Sequence, residues 1–308
     1  MTTIRIFSPA TIANLNCGFD VLGLCLEGMG DEMVLRKSKQ KGLRITKITG
    51  ADLPYELENN VAGVAGLALL KEVEIDFGID MEIHKKLKLG SGIGSSSASA
   101  AGAVFGINEL IGKPFTSTEL VKFAMKGEVV ASGSEHADNV APCLLGGFTL
   151  VTGYNPLHVI RIAPPKDLFA VVLHPHIILK TSDSRAVLKP EVSLKDAIIQ
   201  SGNLAGFVAG LYTSDYNLMS RSLKDVLVEP YRKSLIPNFD NVKNAAIENG
   251  ALGSGISGAG PSIFALCKGK EIAEKVVKAM KNSFLETNIE FDIFISKINE
   301  QGTKIITN

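Results

Sequence analysis

Between Leu89 and Gly102 the sequence reads LGSGIGSSSASAAG. Glycines at 90, 92 and 94 alternate with Ser91, Ile93 and Ser95, and Ser96 and Ser97 add two more hydroxyls. Glycine lets a backbone approach a phosphate closely, and hydroxyls bind phosphate or Mg2+. If a helix starts after the loop, its unpaired N–H groups and positive dipole end favour an anion. Three readings compete. A Walker loop needs G-x-x-x-x-G-K-[ST], and no Lys is present. A dinucleotide loop is matched only loosely, because Ser95 stands at the third glycine position and no ribose-binding acid stands out about 20 residues on. The third is a tight strand-to-helix turn with no ligand.

The flanking elements remove the possibility of a linker. Ile79, Met81, Ile83, Leu87 and Leu89 alternate with polar residues, as in a half-buried strand, and only Lys85 breaks the apolar face. From Ser97 to about Ile111 the pattern is helical, and Gly112-Lys113-Pro114 stops it. The unit is strand, small-residue loop, helix. Upstream, TTIRIFSPA reads as a strand ending at Pro9, and DEMVLRKS and GLRITKITG as two more. NNVAGVAGLALLKEVEIDFG reads as a helix capped by Asn59 or Asn60, with Gly78 just past its end. A further helix is expected near 118–131. The Pro-Pro pair at 164–165 suggests a domain boundary, with domains at 1–162 and 163–308. Beyond it, LFAVVLHP and IEFDIFISKIN read as strands. Helices are expected at 194–211, 215–227, 239–249 and 271–285, and a second Gly/Ser loop, GSGISGAGPSIFALCKG, leads into a strand. Strands and helices mix without strict alternation, which favours an α+β fold.

The 308 residues suit two modest domains or one large one. Lys plus Arg and Asp plus Glu both number 32, so global charge gives no footprint for nucleic acid or an anionic membrane. No apolar run reaches about 18 residues and no signal-peptide pattern opens the chain, so a cytoplasmic location is expected. Cys17, Cys25, Cys143 and Cys267 form no C-x-x-C pair and read as reduced, partly buried thiols.

Three separated segments, and then a fourth, resemble one family. GSGIGSSSA resembles the phosphate loop of the GHMP small-molecule kinases. SPATIANLNCGFDVLG (Ser8–Gly23) is similar to their N-terminal substrate motif, in the form typical of homoserine kinases. SGAGPSIFAL (Ser257–Leu266) resembles their C-terminal glycine motif, and GSEHADNVAPCLLGGFTLV (Gly133–Val151) points to homoserine kinases within the superfamily. Two positions depart from the pattern. Ser97 stands where the family often has Ala, and Asn16 where it often has Gly. Asn tolerates positive φ, so the turn survives.

The resemblance implies a two-domain GHMP kinase fold. Its N-terminal nucleotide-binding domain is ribosomal-protein-like and its C-terminal domain ferredoxin-like. It implies transfer of the ATP γ-phosphate to the hydroxyl of L-homoserine, on the route to threonine. Leu89, Gly90, Ser91, Gly92, Ile93, Gly94, Ser95, Ser96 and Ser97 match the ATP loop, and Asn60 matches a position that contacts adenine. Ser96 and Glu128 match the positions that bind Mg2+. Asn14, Asp20, His136, Asp138, Asn139, Thr181, Arg185, Arg232, Gly258 and Gly260 match the substrate pocket. An acid such as Asp20 suits the ammonium of homoserine, and a guanidinium suits its carboxylate. Asn139 stands where related kinases place a catalytic Asp, which fits direct transfer without a general base. A homodimer is expected by family analogy. Two alternatives stay open: another GHMP kinase acting on mevalonate or a sugar, and a nucleotide-binding regulator that has lost catalysis.

Overall fold

The computed structural model describes residues 2–307. In chain order the first half holds β1 (Thr3–Ala13), β2 (Leu22–Ser38), β3 (Gly42–Thr49), α1 (Val61–Leu70), β4 (Gly78–His84), α2 (Ser95–Leu110), α3 (Ser117–Ser132), α4 (Val140–Leu145), β5 (Phe148–Tyr154) and β6 (Leu157–Ile162). The second half holds β7 (Leu168–Pro175), α5 (Thr181–Ala186), α6 (Leu194–Thr213), α7 (Tyr216–Ser222), α8 (Glu229–Arg232), α9 (Phe239–Glu248), β8 (Gly253–Ile256), β9 (Ile263–Lys268), α10 (Lys270–Leu285), β10 (Phe291–Lys297) and β11 (Lys304–Ile305). The first sheet runs β11-β1-β2-β4-β3, with β5 joined to the near end of β2 and β6 to β5. β11 brings the end of the chain back to β1.

The second sheet runs β10-β7-β9-β8, and its paired strands are antiparallel. Counted within this half, the order is 4-1-3-2, that of the split βαβ or ferredoxin-like motif. Its core side packs on α9 and α10 through Val242, Ala246, Val276, Met280 and Phe284. The first sheet packs on α2, and α1 and α3 pack beside α2. The small residues of α2 allow that approach. A Cβ added at Gly106 would lie 2.4 Å from Ile6 Cδ1 and 2.6 Å from Leu35 Cδ1. The helix therefore rests almost backbone-on-sheet, which fixes where its N-terminus points.

Four expectations change. The strand read over Ile79–Leu89 stops at His84 as β4, and the chain leaves the sheet at Lys85, which turns to Asp31 and the first turn of α2. β1 does not end at Pro9; it runs to Ala13 through a register shift between Pro9 and Thr11, where a missing N–H is tolerated. α1 ends at Leu70 and not near Gly78, because the acids Glu72, Glu74 and Asp76 oppose a negative helix C-terminus. The helix expected over 215–227 stops at Ser222. The Asp225 carboxylate there accepts the backbone N–H groups of Leu227, Val228 and Glu229, each at 2.9 Å, and starts a new turn.

Candidate active site

The α2 N-terminus opens onto a cleft of about 610 Å³, lined from both halves of the chain. Gly90, Gly92 and Gly94 all have positive φ, at 66°, 77° and 73°. At Gly94, the N-cap of α2, the space is also closed: a Cβ would lie 2.0 Å from Thr11 Oγ1. The loop is held from the second half by two serines of the C-terminal glycine motif. Ser257 Oγ donates to the Gly92 carbonyl (2.7 Å) and Ser262 Oγ to the Ser91 carbonyl (2.6 Å). Ser95 Oγ donates to the Leu87 carbonyl at 3.1 Å and closes the loop on itself.

Behind the loop, Lys85 and Asp31 form a buried ion pair. Lys85 Nζ also donates to the Ser95 carbonyl (2.6 Å) and to Ser99 Oγ (3.0 Å). Asp31 accepts the backbone N–H groups of Lys86 (2.7 Å) and Leu87 (2.9 Å). The pair thus ties the end of β4 to the first turn of α2. Lys85→Met leaves a buried carboxylate without its cation and is expected to cost about 3–5 kcal/mol, measured by urea unfolding. Asp31→Asn in the same chain should recover part of that loss.

Ser96 Oγ donates to Glu128 Oε2 at 3.1 Å, across from α2 to α3. Burial pushes the Glu128 carboxyl up to about 7, and the Ser96 hydrogen bond pulls the other way. Its second oxygen, Oε1, is buried without a hydrogen-bond partner. Two hard oxygen donors with an unsatisfied lone pair at the mouth of an anion cradle fit Mg2+. Among the described residues, no group of three or more His, Cys, Asp or Glu side chains converges on a metal-sized point. Asn60 Oδ1 caps α1 by accepting from Ala62 N and Gly63 N, and its Nδ2 donates to the Pro54 carbonyl at 2.7 Å. That side chain shapes the wall formed with Leu53, Pro54 and Val61.

The far end of the cleft is built on strained backbone. Asn14, Leu15, Asn16 and Asp20 all have positive φ. Asn14 Oδ1 accepts Asp20 N at 3.0 Å, and its Nδ2 donates to the Gly258 carbonyl at 2.8 Å. Asn16 Nδ2 donates to the Leu223 and Ser254 carbonyls, both at 3.0 Å. These bonds over-determine a conformation that short polar side chains tolerate. They aim Asp20 at Arg185, whose Nη2 donates to both carboxylate oxygens (2.8 and 3.1 Å) and to His136 Nε2 (2.9 Å). Burial, then Arg185, holds the His136 imidazole below its ordinary range, so it is neutral at pH 7. Its Nε2 lies 2.9 Å from Arg185 Nη2, which can only donate, and 2.6 Å from Ser134 Oγ, so its lone pair is turned to the arginine.

Arg232 is buried, with Nε on the Ser184 carbonyl (2.9 Å) and Nη1 on the Gly258 carbonyl (3.2 Å). Burial, then repulsion from Arg185, lowers its pKa to about 10. Burial, then Asp20 and Glu128, lifts the Asp138 carboxyl to about 7. Asp20 is near enough to raise the Asp138 carboxyl and Arg185 near enough to lower Arg232, so this end of the cleft gathers charges of both signs, as a zwitterion would need. Asn139 sits between these groups and the phosphate loop, its Oδ1 accepting from Thr11 Oγ1 at 2.7 Å.

The fold thus gathers onto one cleft the expected residues Asn14, Asp20, Asn60, Leu89 to Gly92, Gly94 to Ser96, Glu128, His136, Asp138, Asn139, Thr181, Arg185, Arg232, Gly258 and Gly260. Ile93 and Ser97 do not line it. Both are buried; the Ser97 hydroxyl lies near enough to Glu128 to hold its carboxyl down a little, but among the described residues neither it nor Glu128 Oε1 makes a hydrogen bond. Sequence reasoning missed Thr11, Asp31 and Lys85. Only Lys85 carried a signal, as the one charge on an otherwise apolar strand face.

Residues 59–147 match the family described as GHMP kinases N terminal domain, and residues 194–286 match GHMP kinases C terminal. The homoserine kinase of Chlorobium phaeobacteroides is 46% identical over 320 residues, covering 99% of this chain and 100% of its own. That of Chlorobaculum tepidum is 44% identical, with 100% and 99% covered. The chain belongs to the homoserine kinase family of the GHMP kinases. The crystal structure of homoserine kinase from Cytophaga hutchinsonii superposes with a TM-score of 0.96 at 48% identity, covering 99% of this chain and 98% of that one. Lactococcus lactis galactokinase shares the fold alone, with a TM-score of 0.74 at 15% identity. The architecture is therefore the two-domain GHMP kinase fold, and no helix among the described residues is long and apolar enough to cross a membrane. The four cysteines are free and buried.

Proposed function

We propose that this homoserine kinase family member transfers the γ-phosphate of ATP to the side-chain hydroxyl of L-homoserine, giving O-phospho-L-homoserine for threonine biosynthesis. The observation that carries the reading is one cleft with an anion cradle at one end and a zwitterion pocket at the other. Asp20 and Asp138 suit an ammonium, Arg185 and Arg232 suit a carboxylate, and Asn139 stands between them and the loop. Ser96 and Glu128 would hold Mg2+, which spreads phosphate charge during transfer. The loop amides and the α2 dipole orient the phosphates. The hydroxyl oxygen then attacks the γ-phosphorus as its bond to the bridging oxygen of the β-phosphate breaks; ADP leaves, and the hydroxyl proton passes late to an oxygen of the transferred phosphate.

Thr11 Oγ1 donates to Asn139 Oδ1 and so fixes how the amide faces the cleft, and an amide is too weak a base to take the hydroxyl proton. Asn139 orients the hydroxyl oxygen and takes no proton. Asn139→Ala is expected to lower kcat by on the order of 10²-fold while leaving the shape of the pH–rate profile unchanged. An acidic limb lost from the profile would assign a base to this position.

The function is tested with truncated substrates. 4-Hydroxybutyrate lacks the ammonium and 3-amino-1-propanol lacks the carboxylate. Each should show kcat/KM lower than L-homoserine by at least on the order of 10²-fold, because each leaves buried charges unpaired. Equal turnover of all three would remove the amino-acid pocket from the account. We also place the domain division after Ile162 and assign the protein to the cytoplasm as a homodimer, by analogy with its family.

A further inference from the structure

Phe19 does not line the cleft, yet both substrate-facing guanidiniums lie over its ring. Arg185 Cζ is 5.5 Å and Arg232 Cζ 5.0 Å from the ring centroid. The two cations are close enough for one to depress the pKa of the other. Arg232 is anchored on two backbone carbonyls, but Arg185 is not. Its guanidinium rests on Asp20 and His136, and its buried Nε has no partner. Asp20 is also the group a substrate ammonium would compete for. When that ammonium binds, Arg185 gives up part of its hold on Asp20. The Phe19 ring is the contact that stays, and a π face attracts both cations at once. Phe19 itself lies between the left-handed run Asn14–Asn16 and the left-handed Asp20, so its backbone is set by its neighbours.

We propose that Phe19 is a positioning residue that sets the spacing of Arg185 and Arg232 and thereby selects acceptor alcohols that carry a carboxylate. The proposal rests on the zwitterion pocket described above and adds the element that holds its cationic half in place. Phe19 touches no substrate; it acts through the two arginines.

The test compares three ligands on the wild-type protein and on Phe19→Leu, which keeps apolar bulk but removes the π face. L-Homoserine is measured by KM. 4-Hydroxybutyrate and 3-amino-1-propanol are measured as competitive inhibitors against it. In Phe19→Leu the constants for L-homoserine and 4-hydroxybutyrate should both rise, by about tenfold. The constant for 3-amino-1-propanol, which has no carboxylate, should stay within about twofold, and KM for ATP should not move. Phe19→Trp, with a larger π face, should restore most of the loss. Parallel weakening of all three ligands would make Phe19 a structural residue only, and no weakening of any would also overturn the proposal. If Phe19→Leu does not fold, Phe19→Met takes its place with the same outcomes. Failure of the wild-type protein to use L-homoserine would contradict the function itself. It is read separately from the variant ratios.

Discussion

Glu128→Gln is expected to lower kcat by on the order of 10²–10³-fold and, at pH 8, to make the free protein more stable. The two effects have one origin. The carboxyl is buried, with one oxygen on Ser96 and the other unpartnered. Burial has raised its pKa to about 7, so above that pH the folded chain holds a poorly compensated charge that the unfolded chain would solvate. The sign follows from linkage. A raised carboxyl pKa means the folded state binds the proton more tightly than the unfolded state does. The penalty is therefore absent below the ordinary carboxylate range, grows as pH rises toward 7, and is complete above it. Its size is on the order of 3 kcal/mol, or several degrees in melting temperature. Glutamine removes the charge, so its advantage should be full at pH 8 and fade toward pH 4.5. Thermal melts at both pH values check it. A variant less stable than wild type at pH 8 would mean that Glu128 is satisfied within the fold and is not held in reserve for a cation.

Gly94→Ala should be strongly damaging, through the group that holds Asn139. The new Cβ would meet Thr11 Oγ1 at 2.0 Å and Asn139 Oδ1 at 3.2 Å, at a residue whose φ is already +73°. Relief requires Thr11 to move, and Thr11 is what holds Asn139. The expected outcome is a fall in kcat of on the order of 10²-fold, since misplacing an orienting group by about 1 Å has that effect. Gly112→Ala is the control. It carries the same kind of strain, φ +94°, but nothing lies within 4 Å of the added Cβ. It should lose about 1 kcal/mol of stability and keep its kcat. If both variants lose activity alike, strain in the chain and not displacement of Asn139 is the cause.

Much of this was legible in the sequence because it depends on local pattern. Alternation from Ile79 matches β4, although the strand stops at His84 while the alternation runs on to Leu89, and the glycine and alanine run matches the loop and α2. The motif segments supplied residues that the fold brings into one cleft, although Asn14 and Gly258 lie 244 positions apart. What was not legible depends on contacts across the fold. Ser97 looked like a phosphate hydroxyl by its neighbours, but it faces inward because Gly94 starts the helix and turns each successive side chain by about 100°. Thr11 lay beyond the strand expected to end at Pro9; its role comes from β1 running past Pro9 until it meets Asn139. Asp225 stopped a helix through three backbone N–H groups ahead of it, which periodicity does not register.

The central claim is tested most directly by incubating the protein with Mg2+, ATP carrying a labelled γ-phosphate, and L-homoserine, mevalonate or galactose in turn, and identifying the labelled product. The account predicts label on the oxygen of the L-homoserine side chain and none on the other two alcohols. Label on mevalonate or galactose but not on L-homoserine, or ATP bound with no transfer to any of the three, would contradict it.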